Sequence, residues 1–456
     1  MSTAVIIGGG ITGLCAAHDL AAAGHRVKVY EASDRWGGKV WSSPVGDRLV
    51  DAGPDTFLAR VAPGRQLCED LGLADELTSP VSAVPAYIAR DGRLHELPAG
   101  SMLGVPTDLD VLRRGQLISA DGIRAAEADL TMPSSLPADG GDLSVGALCR
   151  ARLGDEITDY LIDPLLGGIN ASDIDHLSLR AGALLLASAV ERGPSLMKEM
   201  AALRPATGPT LGTPGTVTAP PVFHGLPGGI ARIVDTLVGR LEADDHVKLH
   251  RSSPVTDLAE VAGADDDVLI TTPAFAAAEL VRRLSPPAAD ELATIRYASV
   301  AQATVELPID ADEVELDASG ILFPRAGGTM LTACTWLSTK WAHYRRPGTV
   351  LLRLTSGRFG DERPADHDDI GLTRALLADL GTVVEIRGEP TATRVHRWHR
   401  AFPQYMPGHG ERVARIDEAL AADAPRVRLA GAAYRGIGLP ACIDGGRTAA
   451  RAVLHG

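Results

Sequence analysis

The sequence of 456 residues predicts an α/β protein in which one parallel-sheet domain is built from discontinuous segments, with a mixed-sheet domain and a helical domain inserted between them. Three observations predict this fold. A strand, a glycine loop and a helix open the chain, and a similar strand–glycine–helix unit closes it. Helical periodicity dominates residues 108–200, and strand-like alternation runs through residues 298–358.

The opening unit has the order strand, glycine loop, helix, strand and acid. Residues 8–13 (GGGITG) follow a short buried-strand pattern, and helical periodicity comes next. In a G-x-G-x-x-G loop, Gly8 permits the tight turn, Gly10 lets the backbone approach a pyrophosphate, and Gly13 lets the helix pack closely on the strand. Glu31 ends the second strand, where a carboxylate can accept both ribose hydroxyls and would repel a 2′-phosphate. The order therefore predicts a Rossmann-like dinucleotide site and argues against NADP.

Two further glycine-containing turns follow this unit. Gly37 and Gly38 come soon after the acid, and residues 51–57 (DAGPDTF) supply a third place where the backbone is exposed. Glycine allows a ligand to approach the main chain closely, and three approaches in succession suit a ligand longer than NAD. We therefore predict FAD as the cofactor, lying extended with its flavin deep in the protein.

The remaining segments alternate between helix and strand patterns. Predicted helices cover residues 108–114, 121–130, 143–153, 156–166, 177–191, 226–241 and 441–454, and predicted strands cover residues 247–250, 253–258, 268–273 and 427–430. Residues 204–221 are rich in Pro, Gly and Thr without periodicity, which predicts a mobile loop. The last helix follows Gly436 and Gly438. At the flavin its N-terminus would stabilise an anionic reduced form, and an ordinary docked terminal helix is the alternative.

Composition and charge exclude several classes of function. The net charge of −14 disfavours nucleic acid and anionic lipid, so we predict no nucleic-acid partner and at most peripheral membrane contact. Residues 181–190, the longest nearly uncharged apolar stretch, are too short to span a bilayer. The five cysteines are scattered without a C-x-x-C pair, which predicts reduced thiols and no metal site. With an apolar strand so close to Met1 we expect no secretory signal, and therefore a cytoplasmic protein.

Several motifs resemble those of the porphyrinogen oxidases among the amine oxidase-like flavoproteins. Besides the opening loop they are residues 35–39 (RWGGK), 53–57 (GPDTF), 161–171 (LIDPLLGGINA), 397–409 (RWHRAFPQYMPGH) and 434–442 (YRGIGLPAC). Residues 334–343 and 351–353 are similar to those of the coproporphyrinogen III oxidases of Gram-positive bacteria. Ala86 stands where plant and animal protoporphyrinogen oxidases carry an arginine that clamps a propionate. Val61 and Ser172 also differ from residues found elsewhere in the family.

The resemblance implies an FAD domain, a substrate domain and a helical domain that lines a deep cavity. The predicted boundaries are residues 1–80, 223–288 and 395–456 for the FAD domain, 81–106 and 289–394 for the substrate domain, 107–204 for the helical domain and 205–222 for the mobile loop. The FAD contacts that it implies are Gly8, Gly9, Gly10, Ile11, Thr12, Gly13, Glu31, Ala32, Lys39, Gly53, Pro54, Asp55, Thr56, Val255, Trp398, Ile437, Gly438 and Leu439.

The activity implied by the resemblance is the six-electron oxidation of coproporphyrinogen III to coproporphyrin III in haem biosynthesis. FAD would accept hydride, and O2 would reoxidise it with release of H2O2. A transient hand-off of product to a ferrochelatase is the protein partner it suggests. No residue is firmly predicted as catalytic, and Lys340 and His399 are the candidates. Four propionates need basic partners, for which the candidates are Arg60, Arg345, Arg346, Arg397 and Arg400.

Three alternatives stay open. A protoporphyrinogen IX oxidase of the same fold would be held at the membrane by an apolar patch on the helical domain. A flavin amine oxidase would need an aromatic cage around the substrate nitrogen, which is hard to place in a chain with 4% aromatic residues. A non-catalytic flavin scaffold would bind FAD and yet consume no O2 with any porphyrinogen.

Overall fold

The computed structural model describes residues 3–81, 84–133, 140–204, 221–309 and 318–455. Its first sheet has five parallel strands, in the order Val427–Leu429, Asp267–Ile270, Thr3–Ile7, Arg26–Tyr30 and Val247–His250. These strands come from the beginning, the middle and the end of the chain. The parallel sheet is therefore assembled from discontinuous segments, with its first strand at the centre.

Both faces of this sheet are buried, which explains the almost unbroken apolar run of the first strand. Ala4 and Ile6 pack against one layer of helices and Val5 and Ile7 against the other, because successive side chains of a strand point to opposite faces. The first layer consists of Ile11–Ala22, Ala62–Asp70, Ala231–Glu242 and Leu439–Leu454, and the second of Ala274–Val281, Pro286–Ala293 and His409–Asp423. The carboxyl ends of the strands remain as the edge at which such sheets bind ligands.

The second sheet has seven strands of mixed direction, in the order Ala392–Pro403, Tyr297–Pro308, Thr349–Ser356, Leu331–Trp336, Gly320–Leu322, Ala86–Arg90 and Arg93–Glu96. Neighbours are antiparallel except for the parallel pair of Gly320–Leu322 with Ala86–Arg90. Helix Asp369–Leu380 packs its leucines against this sheet. Strand Ala392–Pro403 runs across the predicted boundary between residues 394 and 395 while paired with Tyr297–Pro308, so the chain leaves this sheet only after that strand.

A helical region follows the strand Arg93–Glu96. Its helices are Leu109–Arg114, Ala120–Glu127, Val145–Ile157, Thr158–Gly167, Gly168–Asn170, Leu179–Gly182, Leu184–Arg192 and Leu196–Ala202. Their apolar side chains form a separate core. Thr158–Gly167 is a π-helix that contains Pro164, whose missing N–H interrupts the ordinary helical ladder. With the two sheets, this region confirms the predicted fold class of an α/β protein with mixed-sheet and helical insertions.

Smaller elements join these parts. They are the hairpin of Ser42–Val45 with Arg48–Asp51, the pair Phe57–Leu58 with Phe223–His224, and the short helix Leu337–Lys340. The hairpin packs through Val45 and Val50 against Leu337 and Trp341, which brings the segment before residue 57 against the mixed sheet.

One predicted strand is wrong, and one prediction cannot be compared with the structure. Residues 253–258 form no strand, because Pro254 lacks an N–H and the Ser253 N–H bonds to the carbonyl oxygen of Glu31 rather than continuing a ladder. The predicted mobile loop lies outside the described residues for residues 205–220. Across the residues that are described, every helix is too short or too polar to cross a lipid bilayer.

Candidate cofactor and substrate site

The glycine loop has the shape expected of a phosphate-binding turn. Gly8 has φ +111° and its N–H donates to the Tyr30 carbonyl oxygen at 2.8 Å. A Cβ on Gly13 would come within 3.0 Å of the Gly8 carbonyl oxygen, so only glycine lets the first helix pack this closely. Gly10 caps the helix Ile11–Ala22 without a side-chain hydrogen bond, and a Cβ there would meet nothing within 4 Å. The loop is therefore tight toward the protein and open on the side where phosphates would lie.

The Glu31 carboxylate faces the glycine loop and also holds it in place through hydrogen bonds. One carboxylate oxygen accepts from the Gly9 N–H at 2.8 Å, and the other accepts from the N–H and Oγ of Ser33 at 2.8 and 2.7 Å. A carboxylate can accept about four hydrogen bonds, so capacity remains for a ribose hydroxyl. Ala32, between these partners, is exposed.

The second and third glycine turns lie against the first. The Gly37 N–H donates to the Gly9 carbonyl oxygen at 2.8 Å, and a Cβ on Gly38 would be 3.3 Å from Gly10 Cα. A Cβ on Gly53 would come within 3.0 Å of the Lys39 carbonyl oxygen. The structure thus brings residues 8–13, 37–39 and 53–56 into one backbone cradle, which fits an extended dinucleotide.

The last helix completes the cradle. It begins at Leu439 after Gly438, and a Cβ on Gly446 would come within 3.0 Å of the Thr12 carbonyl oxygen, so the first and last helices touch backbone to backbone. Lys39 is exposed, yet enough protein surrounds it to lower the pKa of its ammonium by desolvation. A side chain that lines an open groove can be exposed to solvent and still be desolvated by the surrounding protein.

A buried ion cluster holds the third turn. The Asp55 carboxylate lies 3.2 Å from Lys340 Nζ and 3.4 Å from Arg353 Nη1, and Trp341 Nε1 donates to it at 3.4 Å. Burial alone would raise the pKa of Asp55, but the two cations hold it well below its usual range. Lys340, a candidate catalytic residue from the sequence, is thus bound to a carboxylate of the turn itself.

Asp51 lies beside this cluster. Its Oδ1 accepts from Ser42 Oγ at 2.6 Å and from the Ile230 N–H at 2.9 Å, while Arg353 Nη2 donates to its carbonyl oxygen at 2.6 Å. Burial raises the pKa of Asp51 to about 6, with Asp55 adding to the effect and Arg353 opposing it. The third turn is therefore flanked by two carboxylates with oppositely shifted pKa values.

Trp398 connects the third turn with the mixed sheet. Its Nε1 donates to the Ala52 carbonyl oxygen at 2.8 Å, and its ring lies 4.0 Å from the position of a Cβ on Gly53. The Arg35 guanidinium lies 4.5 Å from the Trp41 ring centroid and 5.8 Å from that of Trp398. Arg35 and Arg353 are absent from the sequence-based candidates, although Arg35 is part of the quoted RWGGK motif.

The remaining predicted FAD contacts border the cradle less directly. Val255 is half-buried against the strand that contains Val5 and Ile7, in the loop that returns to Glu31. Pro54 and Thr56 are half-buried in the third turn, and Ile437 packs against the helical core.

The five arginines chosen from the sequence occupy separate settings. Arg60 and Arg345 are exposed, and Arg346 pairs with Asp47. Arg397 binds Asp369 Oδ1 at 3.0 Å as well as two carbonyl oxygens, and Arg400 stacks 3.7 Å above the Phe275 ring. His399 is exposed on the same edge strand as these last two arginines. The structure does not bring these residues together around the cradle.

Comparisons with known proteins agree with this architecture. The family model of the flavin containing amine oxidoreductases matches residues 11–454. The chain is 34% identical to the coproporphyrinogen III oxidase of Bacillus subtilis (strain 168), over 98% of this chain and 96% of that protein. It is 33% identical to the coproporphyrinogen III oxidase of Propionibacterium freudenreichii subsp. freudenreichii, over 99% of this chain and 90% of that protein. A solved structure from Exiguobacterium sp. 255-15 matches with a TM-score of 0.86 and 29% identity, over 100% and 99% of the two chains.

These similarities confirm the predicted flavin cofactor, and the dinucleotide cradle is consistent with the FAD form. They also confirm the resemblance on which the domain organisation was based. The chain belongs to the flavin-containing amine oxidoreductases, within the group that includes the coproporphyrinogen III oxidases of Gram-positive and actinobacterial species.

Proposed function

We propose that this chain uses FAD to oxidise coproporphyrinogen III to coproporphyrin III, with O2 as the electron acceptor and H2O2 as the second product. Similarity to coproporphyrinogen III oxidases over nearly the whole length is the observation that carries the proposal. The substrate loses six electrons and six protons, which balances the reduction of three O2 to three H2O2. When bound, FAD supplies a two-electron acceptor for each of the three oxidations.

The residues of this chain bind and orient the reactants. Glu31 fixes the glycine loop, and the ion pairs of Asp55 with Lys340 and Arg353 fix the third turn. Holding such groups in place before the reactants arrive reduces the entropy lost on binding. Lys340 therefore acts in this proposal as a positioning residue, through Asp55.

An apolar wall beside Trp398 suits a macrocycle. Ala171, Ala298 and Val300 form a small buried cluster, and the partly buried rings of Phe359, Trp398 and Phe402 pack against it. Such a surface excludes water from a flat apolar ring system. Nearby, burial and the surrounding arginines lower the pKa of His396 to about 4, and its Nε2 lies 2.7 Å from Ser43 Oγ. This imidazole is neutral near pH 7, and an oxidation that aromatises its product needs no strong protein acid.

A direct assay tests the proposal. Purified yellow protein is incubated separately with coproporphyrinogen III, protoporphyrinogen IX and a polyamine, while porphyrin fluorescence and H2O2 are followed. We expect fast porphyrin formation from coproporphyrinogen III, with three H2O2 for each porphyrin. A Gly10→Val variant, expected to bind FAD much more weakly and used after removal of its flavin, is the matched control for spontaneous oxidation. Faster turnover of protoporphyrinogen IX or of the polyamine would show that coproporphyrinogen III is not the preferred substrate. Failure to oxidise any of the three compounds would favour a non-catalytic flavin scaffold.

Several accompanying expectations stay predictions. They are the ferrochelatase hand-off, the cytoplasmic location and the domain boundaries. Ala86 disfavours the protoporphyrinogen alternative, because the resemblance places it where plant and animal protoporphyrinogen oxidases carry an arginine that clamps a propionate.

A further inference from the structure

A second group of charged residues lies where the helical region meets the mixed sheet. It consists of Asp163 in the π-helix, Ser172 shortly after it, and Arg325 and Arg358 from the mixed-sheet region. Asp163, Ser172 and Arg358 have only 7%, 3% and 8% of their surfaces exposed. Buried charges are normally paired and fully hydrogen-bonded. A charged side chain here that has no such partner would therefore indicate a place for a ligand.

Several polar atoms of this group have no hydrogen-bond partner in the described structure. Within the described part of the chain, Ser172 Oγ, Arg325 Nε and Arg358 Nε are buried without a hydrogen bond. Arg325 Nη2 donates to the carbonyl oxygens of Ser172 and Phe359, both at 3.3 Å, which aligns the two arginines but neutralises neither. Leaving a buried donor without an acceptor destabilises a protein. A missing acceptor group is therefore indicated.

The charge balance identifies the sign of that group. Burial raises the pKa of Asp163 to about 6, with Asp173 and Asp159 adding to the rise and Arg325 and Arg358 opposing it. The carboxylate of Asp361, which also acts on Arg358, is engaged by Arg363 Nη2 at 2.6 Å. Among the described residues neither Arg325 nor Arg358 forms a salt bridge, so an anion bound beside them would supply a direct counter-charge.

The position of the group relates it to the cofactor cradle. Phe359 follows Arg358, and its N–H donates to the carbonyl oxygen of Ala171, the neighbour of Ser172, at 2.8 Å. Phe359 and Ala171 belong to the apolar cluster that also contains Trp398. The arginines thus lie at one end of an apolar wall whose other end touches the third glycine turn. A ligand that fits both parts is an apolar macrocycle with a carboxylate at its edge.

We propose that Arg325 and Arg358, together with the Ser172 hydroxyl, bind one propionate of the porphyrinogen substrate. This inference rests on the proposed function and names a substrate subsite built from arginines other than those chosen from the sequence. A planar guanidinium can bind a carboxylate through two parallel hydrogen bonds, which suits a propionate better than a point charge would. Asp163 limits the positive charge of the subsite, so that product with the same propionates can leave.

Binding of stable porphyrins tests the subsite without turnover. Flavin-loaded protein is titrated with coproporphyrin III and, separately, with its uncharged tetramethyl ester, following tryptophan fluorescence. Arg358→Gln and Arg325→Gln should each weaken binding of the acid on the order of 10- to 100-fold and leave binding of the ester nearly unchanged. Arg374→Gln, on the exposed face of helix Asp369–Leu380, is the matched control and should bind both as the unmodified protein does.

Asp163→Asn gives a result that damage to the fold cannot imitate. Removing this negative charge leaves the arginines less neutralised, so binding of the acid should become tighter by several-fold while binding of the ester is unchanged. Weaker binding of the acid by Asp163→Asn, or equal losses for acid and ester in both arginine variants, would overturn the subsite. If Arg358→Gln does not fold, Arg325→Gln and Arg358→Lys provide the same comparison.

The subsite and the proposed function fail in different ways. If the unmodified protein oxidises coproporphyrinogen III while both arginine variants bind the acid normally, only the subsite is wrong. If the unmodified protein neither binds coproporphyrin III nor oxidises coproporphyrinogen III, the proposed function itself is wrong. In steady-state assays the subsite predicts a raised KM for coproporphyrinogen III in Arg358→Gln, with kcat largely retained.

Discussion

Replacing Gly10 by valine should separate cofactor binding from folding. Gly10 has φ −73° and ψ 173°, which any residue can adopt, and a Cβ there meets no protein atom within 4 Å. The cost to the fold is that of an unfavourable helix cap, about 0.5–1 kcal/mol. The side chain would instead occupy the space in front of the amides of Ile11, Thr12 and Gly13, which have no acceptor within the helix.

The loss of cofactor affinity can be worked out from those amides. Each hydrogen bond to a charged phosphate contributes about 1.5–3 kcal/mol, so losing two weakens FAD binding by about 3 kcal/mol or more, roughly 150-fold in Kd. The ratio of flavin absorbance to protein absorbance measures the loss. Unfolding is compared with flavin-stripped unmodified protein, because bound FAD itself stabilises the fold. Gly239→Val, at an equally open glycine in helix Ala231–Glu242, should retain flavin. An FAD Kd in Gly10→Val equal to that of the unmodified protein would refute the assignment of the phosphate loop.

Three further substitutions test how the site is supported. Asp129→Ala should lower the free energy of unfolding in urea by about 3–5 kcal/mol. Arg152 Nε lies 2.6 Å from the Asp129 carboxylate, so the variant would keep a buried guanidinium charge without its partner. A decrease below 1 kcal/mol would contradict this prediction. Asp51→Asn tests how the stability of the fold depends on pH. The folded pKa of Asp51 is raised to about 6 from an ordinary value near 3.9, so its contribution to stability is full below about pH 4 and lost as the pH rises through 6. The variant should therefore be more stable at pH 8 by roughly 1–2 kcal/mol and nearly unchanged at pH 4, and equal effects at both pH values would count against it. Gly446→Ala should force the last helix away from Thr12, which should lower the free energy of unfolding by about 1–3 kcal/mol and reduce the amount of flavin that the protein retains. An unchanged melting temperature and flavin content would show that the two helices adjust to the added methyl group.

The cofactor half of the site follows from the sequence because its signals are local. The glycine loop, the first helix and Glu31 lie within thirty-one residues. Gly8 is required by its positive φ and Gly13 by the close approach of the helix to the loop. The order of strand and helix patterns likewise predicts a parallel sheet interrupted by other parts. The strand predicted at residues 253–258 is wrong because periodicity does not register that Pro254 removes a ladder donor.

The charged half of the site depends on contacts between distant segments. Lys340 meets Asp55 across 285 positions of sequence, and Arg325 meets Ser172 across 153. Alternation along a strand predicts which side chains share a face, but only the pairing of strands and the docking of the helical region decide what that face meets. An arginine in sequence looks the same whether it ends in water, as Arg60 does, or in a buried cluster, as Arg358 does. The sequence by itself therefore determined the fold class and the flavin nature of the cofactor. The tertiary structure decided which charges are buried together, because burial and electrostatic pairing are properties of the packed chain.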